Sequence, residues 1–358
     1  MSLFLAIPCA QKNISIVGGQ VTAARGLISY LDDKKIAYTL ADTAAFISGN
    51  SSLVRFYIKV RTFVSVLFVG FRGKHKAALF FKSTFAGLPE RSIQALVFRL
   101  RGARAALFFR NSDILALNPR TLRAFFTFWL LKPFSVYFVQ GEQWRQHLVD
   151  LGFKSENIII IPNWLPAGFS VVSQPKQPDD KLLRFVFTGR IVREKGVFDL
   201  LRALSISKLD GRCRCVFAGD GPDLSACKSM VADLGLKNVI FTGSLCSSDV
   251  RKLLIKADVF VLPTYHPEGF PNSVLEAMAV GLPVIATDVG AIIESVQHEK
   301  NGLIIPVRDA SELSLAMKRY VDNPEVIRHQ SAFSLHTIAK RHNREVNCAL
   351  LIDALLDS

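Results

Sequence analysis

The feature that most constrains this chain is a twice-repeated rhythm: short apolar runs, each closed by Gly, Pro, Thr or Asp and followed by a helix-like segment. In the second half the runs read LLRFVFTGR, CRCVFAGDGP, NVIFTGS, ADVFVLPT, LPVIATD and GLIIPV. Strands buried on both faces look like this, because a parallel sheet covered by helices has no wet face to alternate toward. The first half carries the same rhythm in SLFLAIP, AALFFKSTF, AALFF, FSVYFV and NIIIIPNW. Helical stretches separate these runs, among them one after Gly18-Gly19 and one over 142–151 closed by Gly152. Alternation of this kind predicts an α/β protein with doubly wound parallel sheets.

Between the two series lies SVVSQPKQPDDK, with two prolines and little that is apolar, a composition expected of a linker. A chain of 358 residues also exceeds one average domain. The expected organisation is a first unit over 1–169, a linker over 170–182, a second unit over 183–335 and a C-terminal helix within 336–358. Two successive doubly wound units would leave a cleft between them, with ligands beyond the carboxyl ends of the strands.

Charge divides the halves. Lys and Arg outnumber Asp and Glu by 22 to 10 in residues 1–180, but only by 22 to 20 in residues 181–358. A basic half suits an anionic partner: nucleic acid, an acidic membrane surface or a phosphorylated substrate. Its plain alternative is a solvated surface that aids solubility. No helix-turn-helix, zinc-finger or RNP-type pattern occurs, which argues against nucleic acid. Cys213-Arg-Cys215 lacks the two-residue gap of a metal or redox motif, so the cysteines read as reduced thiols of a cytosolic protein. The opening MSLFLAIPCAQKN has no basic leader and reads as a poor signal peptide. No uncharged run approaches the roughly 18 residues that span a bilayer.

The chemistry concentrates in PEGFPNSVLEAMAVGLPVIATDVG, residues 267–290. Asn272-Ser273 suits the start of a helix running to Val280 and stopped by Gly281 and Pro283. Glu276 fits a capping box with Ser273, which accounts for it without a ligand. That reading leaves Glu268 and the Gly269-Phe270-Pro271-Asn272 turn unexplained. A turn feeding a helix start presents backbone N–H groups and a positive dipole end, a ready anion site. Two flanking glutamates would instead accept from neutral sugar hydroxyls. A phosphate also needs cations, and FTGRIVREKGV supplies Arg190 and Lys195 just past a strand; an incidental charged loop is the alternative. AGDGP places Gly219 at a further strand end, where alone it is only a turn.

Taken together these residues resemble the GT-B retaining glycosyltransferases of family 4, the bacterial polysaccharide and lipopolysaccharide transferases of group 1. The E-x7-E motif is Glu268 to Glu276 in EGFPNSVLE, continuing through AMAVGLPVIATDVGAIIESV and NGLIIPVRD, with GRIVREKG and AGDGPD upstream. The first half matches weakly, in Gly18-Gly19, VYFVQGEQWRQHLVDLGF and IIIIPN. The resemblance implies two Rossmann-like domains, the first binding the acceptor and the second a nucleotide-sugar donor. By it, Arg190 and Lys195 pair with the diphosphate, Glu276 accepts from the ribose and Glu268 holds the transferred sugar. Backbone around Gly269, Phe270, Pro271 and Asn272 contacts sugar or phosphate, His266 touches the donor, Gly219 joins the donor-binding set, and Gly18 and Gly19 admit the phosphates. It also implies no metal and no cofactor, in keeping with the lack of Asp-x-Asp, and a C-terminal helix, here CALLIDALL, that crosses back to the first domain. Relatives carry a first-domain histidine where this chain has Arg110-Asn111-Ser112, in ALFFRNSDI. His75 and His147 both read as structural or solvated.

The acceptor is expected to be a glycan or a lipid-linked molecule, met at the cytoplasmic face of the plasma membrane. VRFYIKVRTFVSVLFVGFRGKHK places Phe56, Val60, Phe63, Val64, Leu67, Phe68 and Phe71 on one helical stripe among basic residues. The ordinary reading is a helix packed on the core of the first unit; the other is an amphipathic helix on an anionic membrane. The expected activity is metal-independent, retaining sugar transfer in surface polysaccharide or glycolipid synthesis. Its rivals are a nucleotide-sugar-binding assembly subunit that transfers nothing, a two-domain nucleotide-sugar epimerase and a basic nucleic-acid binder.

Overall fold

The computed structural model describes residues 2–8, 19–43, 52–82, 85–166, 169–178, 182–209, 211–266 and 269–357. The chain divides into two compact units, Met1–Ala167 with Asn343–Ser358, and Gly168–His342.

In the first unit the elements run β1 (Ser2–Ile7), α1 (Gly19–Asp33), β2 (Tyr38–Asp42), α2 (Ser52–Arg72), β3 (His75–Lys82), α3 (Leu88–Leu100), β4 (Arg104–Phe109), α4 (Leu122–Leu131), β5 (Val136–Val139), α5 (Glu142–Asp150) and β6 (Ile158–Ile160). The strands form one parallel sheet in the order β2-β1-β3-β4-β5-β6. Apolar runs without alternation are explained by the two covered faces. Leu3, Leu5, Leu79 and Phe108 turn toward α1, while Phe4 and Phe80 turn to Phe98 of α3, with ring centroids 4.5 and 5.9 Å apart.

The second unit runs β7 (Leu183–Thr188), α6 (Val197–Ser207), β8 (Cys213–Ala218), α7 (Leu224–Asp233), β9 (Val239–Gly243), α8 (Ser247–Lys256), β10 (Val259–Leu262), α9 (Asn272–Ala279), β11 (Val284–Thr287), β12 (Gly302–Ile305), α10 (Ala310–Asp322) and α11 (Val326–Arg341). Its sheet is also parallel, ordered β12-β11-β10-β7-β8-β9. From β7 the chain winds outward through β8 and β9, then returns to β10 on the other side of β7. Connections after β7 and β10 therefore diverge and leave a crevice at their carboxyl ends, the topological switch point where open α/β sheets take ligands.

A last helix, α12 (Arg344–Leu356), belongs to the first unit. The crossing falls at Asn343, whose side chain accepts from the amides of Glu345 and Val346 and so starts α12 sharply after α11. Cys348, Leu351, Ile352 and Leu355 of α12 complete the core against α1 and the sheet.

Two sequence expectations change here. The polar stretch expected as a linker is held against the second unit: the Val172 amide donates to the Ala279 carbonyl at 3.0 Å and the Lys176 amide to Ser331 Oγ at 2.7 Å. Lys176 Nζ reaches the Ile255 carbonyl at 2.7 Å and lies 3.7 Å from the buried Asp258 carboxylate. Polar, Pro-containing composition marks the absence of helix and strand, not the absence of contacts. The apolar stripe of α2, read ordinarily as core, faces outward: Phe56 is 68% exposed, and Val60, Val64, Phe68 and Phe71 are exposed with it. The helix seats itself instead through buried Val66 and Gly70, where a Cβ on Gly70 would meet the Phe98 ring at 2.9 Å.

Candidate functional site

The switch point of the second unit is built by three loops. After β7 the chain turns through Gly189 and exposed Arg190 into a single 3-10 turn, Arg193–Lys195, which Gly196 closes at φ +73°. A Cβ at Gly196 would lie 2.0 Å from the Pro263 carbonyl oxygen, so only glycine lets this loop approach the one after β10. The approach is fastened at one atom. The Glu194 carbonyl accepts from the Tyr265 amide (2.9 Å), the His266 amide (3.1 Å) and Thr264 Oγ1 (3.1 Å). Lys195, next in sequence, is thereby carried to the same crevice as exposed His266.

The third loop follows β8. At Gly219 (φ +153°) a Cβ would fall 1.8 Å from the Gly189 carbonyl oxygen, and at Gly221 one would fall 2.2 Å from that of Ile191. Asp223 Oδ2 accepts the Arg193 amide at 2.7 Å, tying this loop to the one bearing Arg190. Gly219, picked from the sequence as a donor-binding residue, is here also a packing device that holds the cationic loop in shape. Neither Glu194 nor Thr264 was singled out in the sequence. Their role rests on a backbone oxygen and a short hydroxyl, which leave no side-chain pattern to find.

The helix start differs from its sequence reading. Its cap is Pro271, with no side-chain hydrogen bond, and the first residue is Asn272. Proline has no N–H for a glutamate to return to, and Glu276 lies beyond the third helical position, so the capping box with Ser273 does not form. Glu276 instead points from a helix whose neighbours Val274, Leu275, Ala277 and Met278 are buried. Burial pushes its carboxyl up to about 7, and no partner for it is found among the described residues. Thr188 Oγ1, at the carboxyl end of β7, is a second buried polar atom without a partner there.

Phe270 and Pro271 are both buried. The Phe270 ring lies tilted against that of His342 with centroids 5.0 Å apart, and His342 Nε2 bonds Ser295 Oγ at 2.7 Å, so this side chain anchors the turn. The Gly269 carbonyl accepts from the Ala291 amide at 3.1 Å. Glu268 and Gly18 lie outside the described residues; Gly19 is the first residue of α1 in the first unit.

At the carboxyl edge of the first sheet, Arg110 stands where the resemblance places a histidine, and it is interior. It bonds Asn163 Oδ1, and its guanidinium lies 4.8 Å from the Phe108 ring and 5.4 Å from that of Trp164. Burial lowers its pKa to about 9. Lys82, one strand away, is buried against Asp113, and its pKa is lowered by desolvation that this pairing only partly offsets. His75 packs beside Phe4 at 5.6 Å and His147 is half-buried on α5; desolvation lowers both pKa values.

Residues 171–334, nearly the whole second unit, match the family model described as "Glycosyl transferases group 1". The chain is 42% identical over 135 residues to a putative teichuronic acid biosynthesis glycosyltransferase of Bacillus subtilis, covering 38% of this chain and 32% of that protein. It is 28% identical over 186 residues to an amylovoran biosynthesis glycosyltransferase of Erwinia amylovora, covering 49% and 45%. The chain thus spans a third to a half of the length of these curated relatives. In fold it is similar to Anabaena HepE in complex with UDP (TM-score 0.73, 16% identity, 99% of each chain). The apo lipopolysaccharide outer core galactosyltransferase WaaB gives 0.70 at 17% identity, also over 99% of each chain. At such identities the likeness is one of fold, and the fold class is that of the GT-B glycosyltransferases.

Proposed function

We propose that this chain is a glycosyltransferase of the retaining, family 4 type, moving a sugar from a nucleotide-sugar to a glycan or lipid-linked acceptor in surface polysaccharide or glycolipid synthesis. The observation that carries the reading is the β7–β10 switch point. There one loop bears Arg190 and Lys195, the next bears His266, and a helix start without a side-chain cap is followed by a half-buried Glu276 that has no partner among the described residues. Arg190 and Lys195 would pair with the diphosphate and stabilise the charge it gains on leaving, the kind of electrostatic term that dominates many enzymes. Ionised Glu276 would accept from ribose hydroxyls, and Glu268 from the transferred sugar. The anomeric carbon–phosphate oxygen bond breaks as the acceptor oxygen bonds to the same face, and the acceptor proton passes to the leaving phosphate. The scheme gives no role to a metal or cofactor. UDP-sugars are the first donors to try, since the HepE structures hold UDP, UDP with glucose, or UDP-glucose.

Calorimetric titration of UDP-, GDP- and ADP-sugars in EDTA tests the site. One class should bind saturably, and Arg190→Ala or Glu276→Ala should weaken it about tenfold or more, as expected for a lost charge-assisted hydrogen bond of roughly 1.5–3 kcal/mol. Absence of binding to every class by folded protein would end the donor-site reading. A second reading, a subunit that binds donor without transferring it, draws on the burial of Arg110 where relatives place a histidine. Sugar transfer to any acceptor, seen by mass spectrometry, would dismiss it.

A further inference from the structure

Among the described residues every large aromatic side chain exposed to solvent sits on α2 or α4 of the first unit. On α2 these are Phe56, Tyr57, Phe68 and Phe71. On α4 they are Phe125, Phe126 and Trp129, beside Leu122, which is 78% exposed. The α4 rings form a cluster, with Phe125 centred 5.8 Å from Phe126 and 6.2 Å from Trp129. Between them α3 adds exposed Ile93, Leu96 and Leu100. α3 packs against both α2 and α4, so the three helices form one layer on one side of the sheet. Soluble proteins rarely leave an apolar surface of this extent uncovered unless something binds there.

The charge around this layer identifies the occupant. Residues 52–140 hold 15 Lys and Arg against 2 Asp and Glu, so nearly the whole net charge of +14 arises in this stretch. Both carboxylates are already paired, Glu90 with Arg91 and Asp113 with Lys82. Cations cluster where each helix of the layer ends and the next strand begins: Arg72, Lys74 and Lys76 between α2 and β3, Arg99, Arg101 and Arg104 between α3 and β4, and Lys132 just past α4. One cation per helix end would satisfy the dipole; three exceed that need. Two of these cations lie over exposed rings, Arg72 4.1 Å from Phe68 and Lys132 3.7 Å from Trp129, with the charge carried at the margin of the apolar surface. A second copy of this face would bring two strongly positive surfaces together. No helix among the described residues is long and apolar enough to cross a membrane.

We propose that the α2–α3–α4 layer is a monolayer-docking surface, in which α2 and α4 lie in the headgroup region of an anionic lipid bilayer. Aromatic side chains enter the acyl boundary and the basic turns meet lipid phosphates. These turns feed the amino ends of β3, β4 and β5. Docking therefore leaves the carboxyl edge of the sheet, where ligands bind, uncovered. The inference stands independently of what the second unit binds.

Trp129 supplies a local reporter, because Trp144 and Trp164, the other tryptophans, are buried. The full chain is mixed with phosphatidylcholine vesicles with and without phosphatidylglycerol, and binding is read by co-sedimentation and by quenching with bromine-tailed lipid. The expected result is binding that requires phosphatidylglycerol, falls with salt and quenches Trp129. Phe125→Asp with Phe126→Asp, both at exposed positions, should weaken it about tenfold or more while the thermal melt is unchanged. The proposal is overturned by absence of binding to anionic vesicles, or by binding that neither quenches Trp129 nor responds to those substitutions. It is equally overturned if sedimentation velocity shows a dimer that the same substitutions abolish, which would assign the face to a second copy.

Discussion

At the residue scale, Glu276 sets a pH dependence with a definite sign. Its carboxyl ordinarily titrates near 4.5 and is pushed up to about 7 by burial. Between those values the folded protein keeps a proton that the unfolded chain has released. The native state therefore binds more protons, and stability falls as pH rises through this window. Without ligand, wild type should lose on the order of 2 kcal/mol between pH 5 and 8 relative to Glu276→Gln, read as the difference between their melting-temperature profiles. Donor affinity should move the opposite way. Hydroxyl donors favour the carboxylate, so binding tightens as pH passes 7 in wild type and stays level in Glu276→Gln. Arg110 shows the limits of reading residues from sequence. An arginine after a strand looks like a ligand group, yet this one is turned inward among aromatic rings.

The polar strap ahead of β7 shows how an element gains its place from one buried charge. Asp258, fully buried at the start of β10, accepts the Arg184 amide at 2.8 Å and Arg184 Nε at 3.0 Å, and holds Lys176 of the strap at 3.7 Å. Removing the carboxylate takes a buried acceptor from the Arg184 amide and the counter-charge from Lys176 and the part-exposed Arg184 guanidinium. Asp258→Ala should cost about 1–3 kcal/mol, seen in urea as a lower midpoint with an unchanged slope. The same scale explains α2. Its stripe has the spacing of a core-facing helix, but periodicity reports only that one face is apolar, not what covers it. The neighbour that decided was α3, which accepts Val66 and Gly70 where bulkier Phe would not fit.

At the scale of the molecule, the first unit is discontinuous and is completed by the last helix of the chain. Cys348, Leu351, Ile352 and Leu355 are all buried in its core, and each large apolar side chain contributes roughly 1.5–3 kcal/mol on burial. Together they amount to much of the roughly 5–15 kcal/mol that stabilises a whole domain. A chain ending at His342 should therefore lose the calorimetric transition of the first unit while keeping that of the second. Retention of both transitions would show that α12 is dispensable.

All the strands but β2 could be read from the sequence in their order of appearance, because a short apolar run ending in Gly, Pro, Thr or Asp has few other solutions in a folded chain; β2, YTLAD, is only partly buried at the sheet edge and carries no such run. The cationic loop and the Gly269–Asn272 turn were legible for a related reason: special backbone at a strand end requires residues that are themselves conspicuous. What the sequence left open was each choice settled by a distant partner. Pro271 took the cap that Ser273 seemed to hold, and the Glu194 carbonyl gathered two loops without a side-chain signature. The α2 stripe stayed outside because α3 had no room for it. Local propensity acts over a few neighbours along the chain, whereas burial is decided by whichever segments the fold brings together across it.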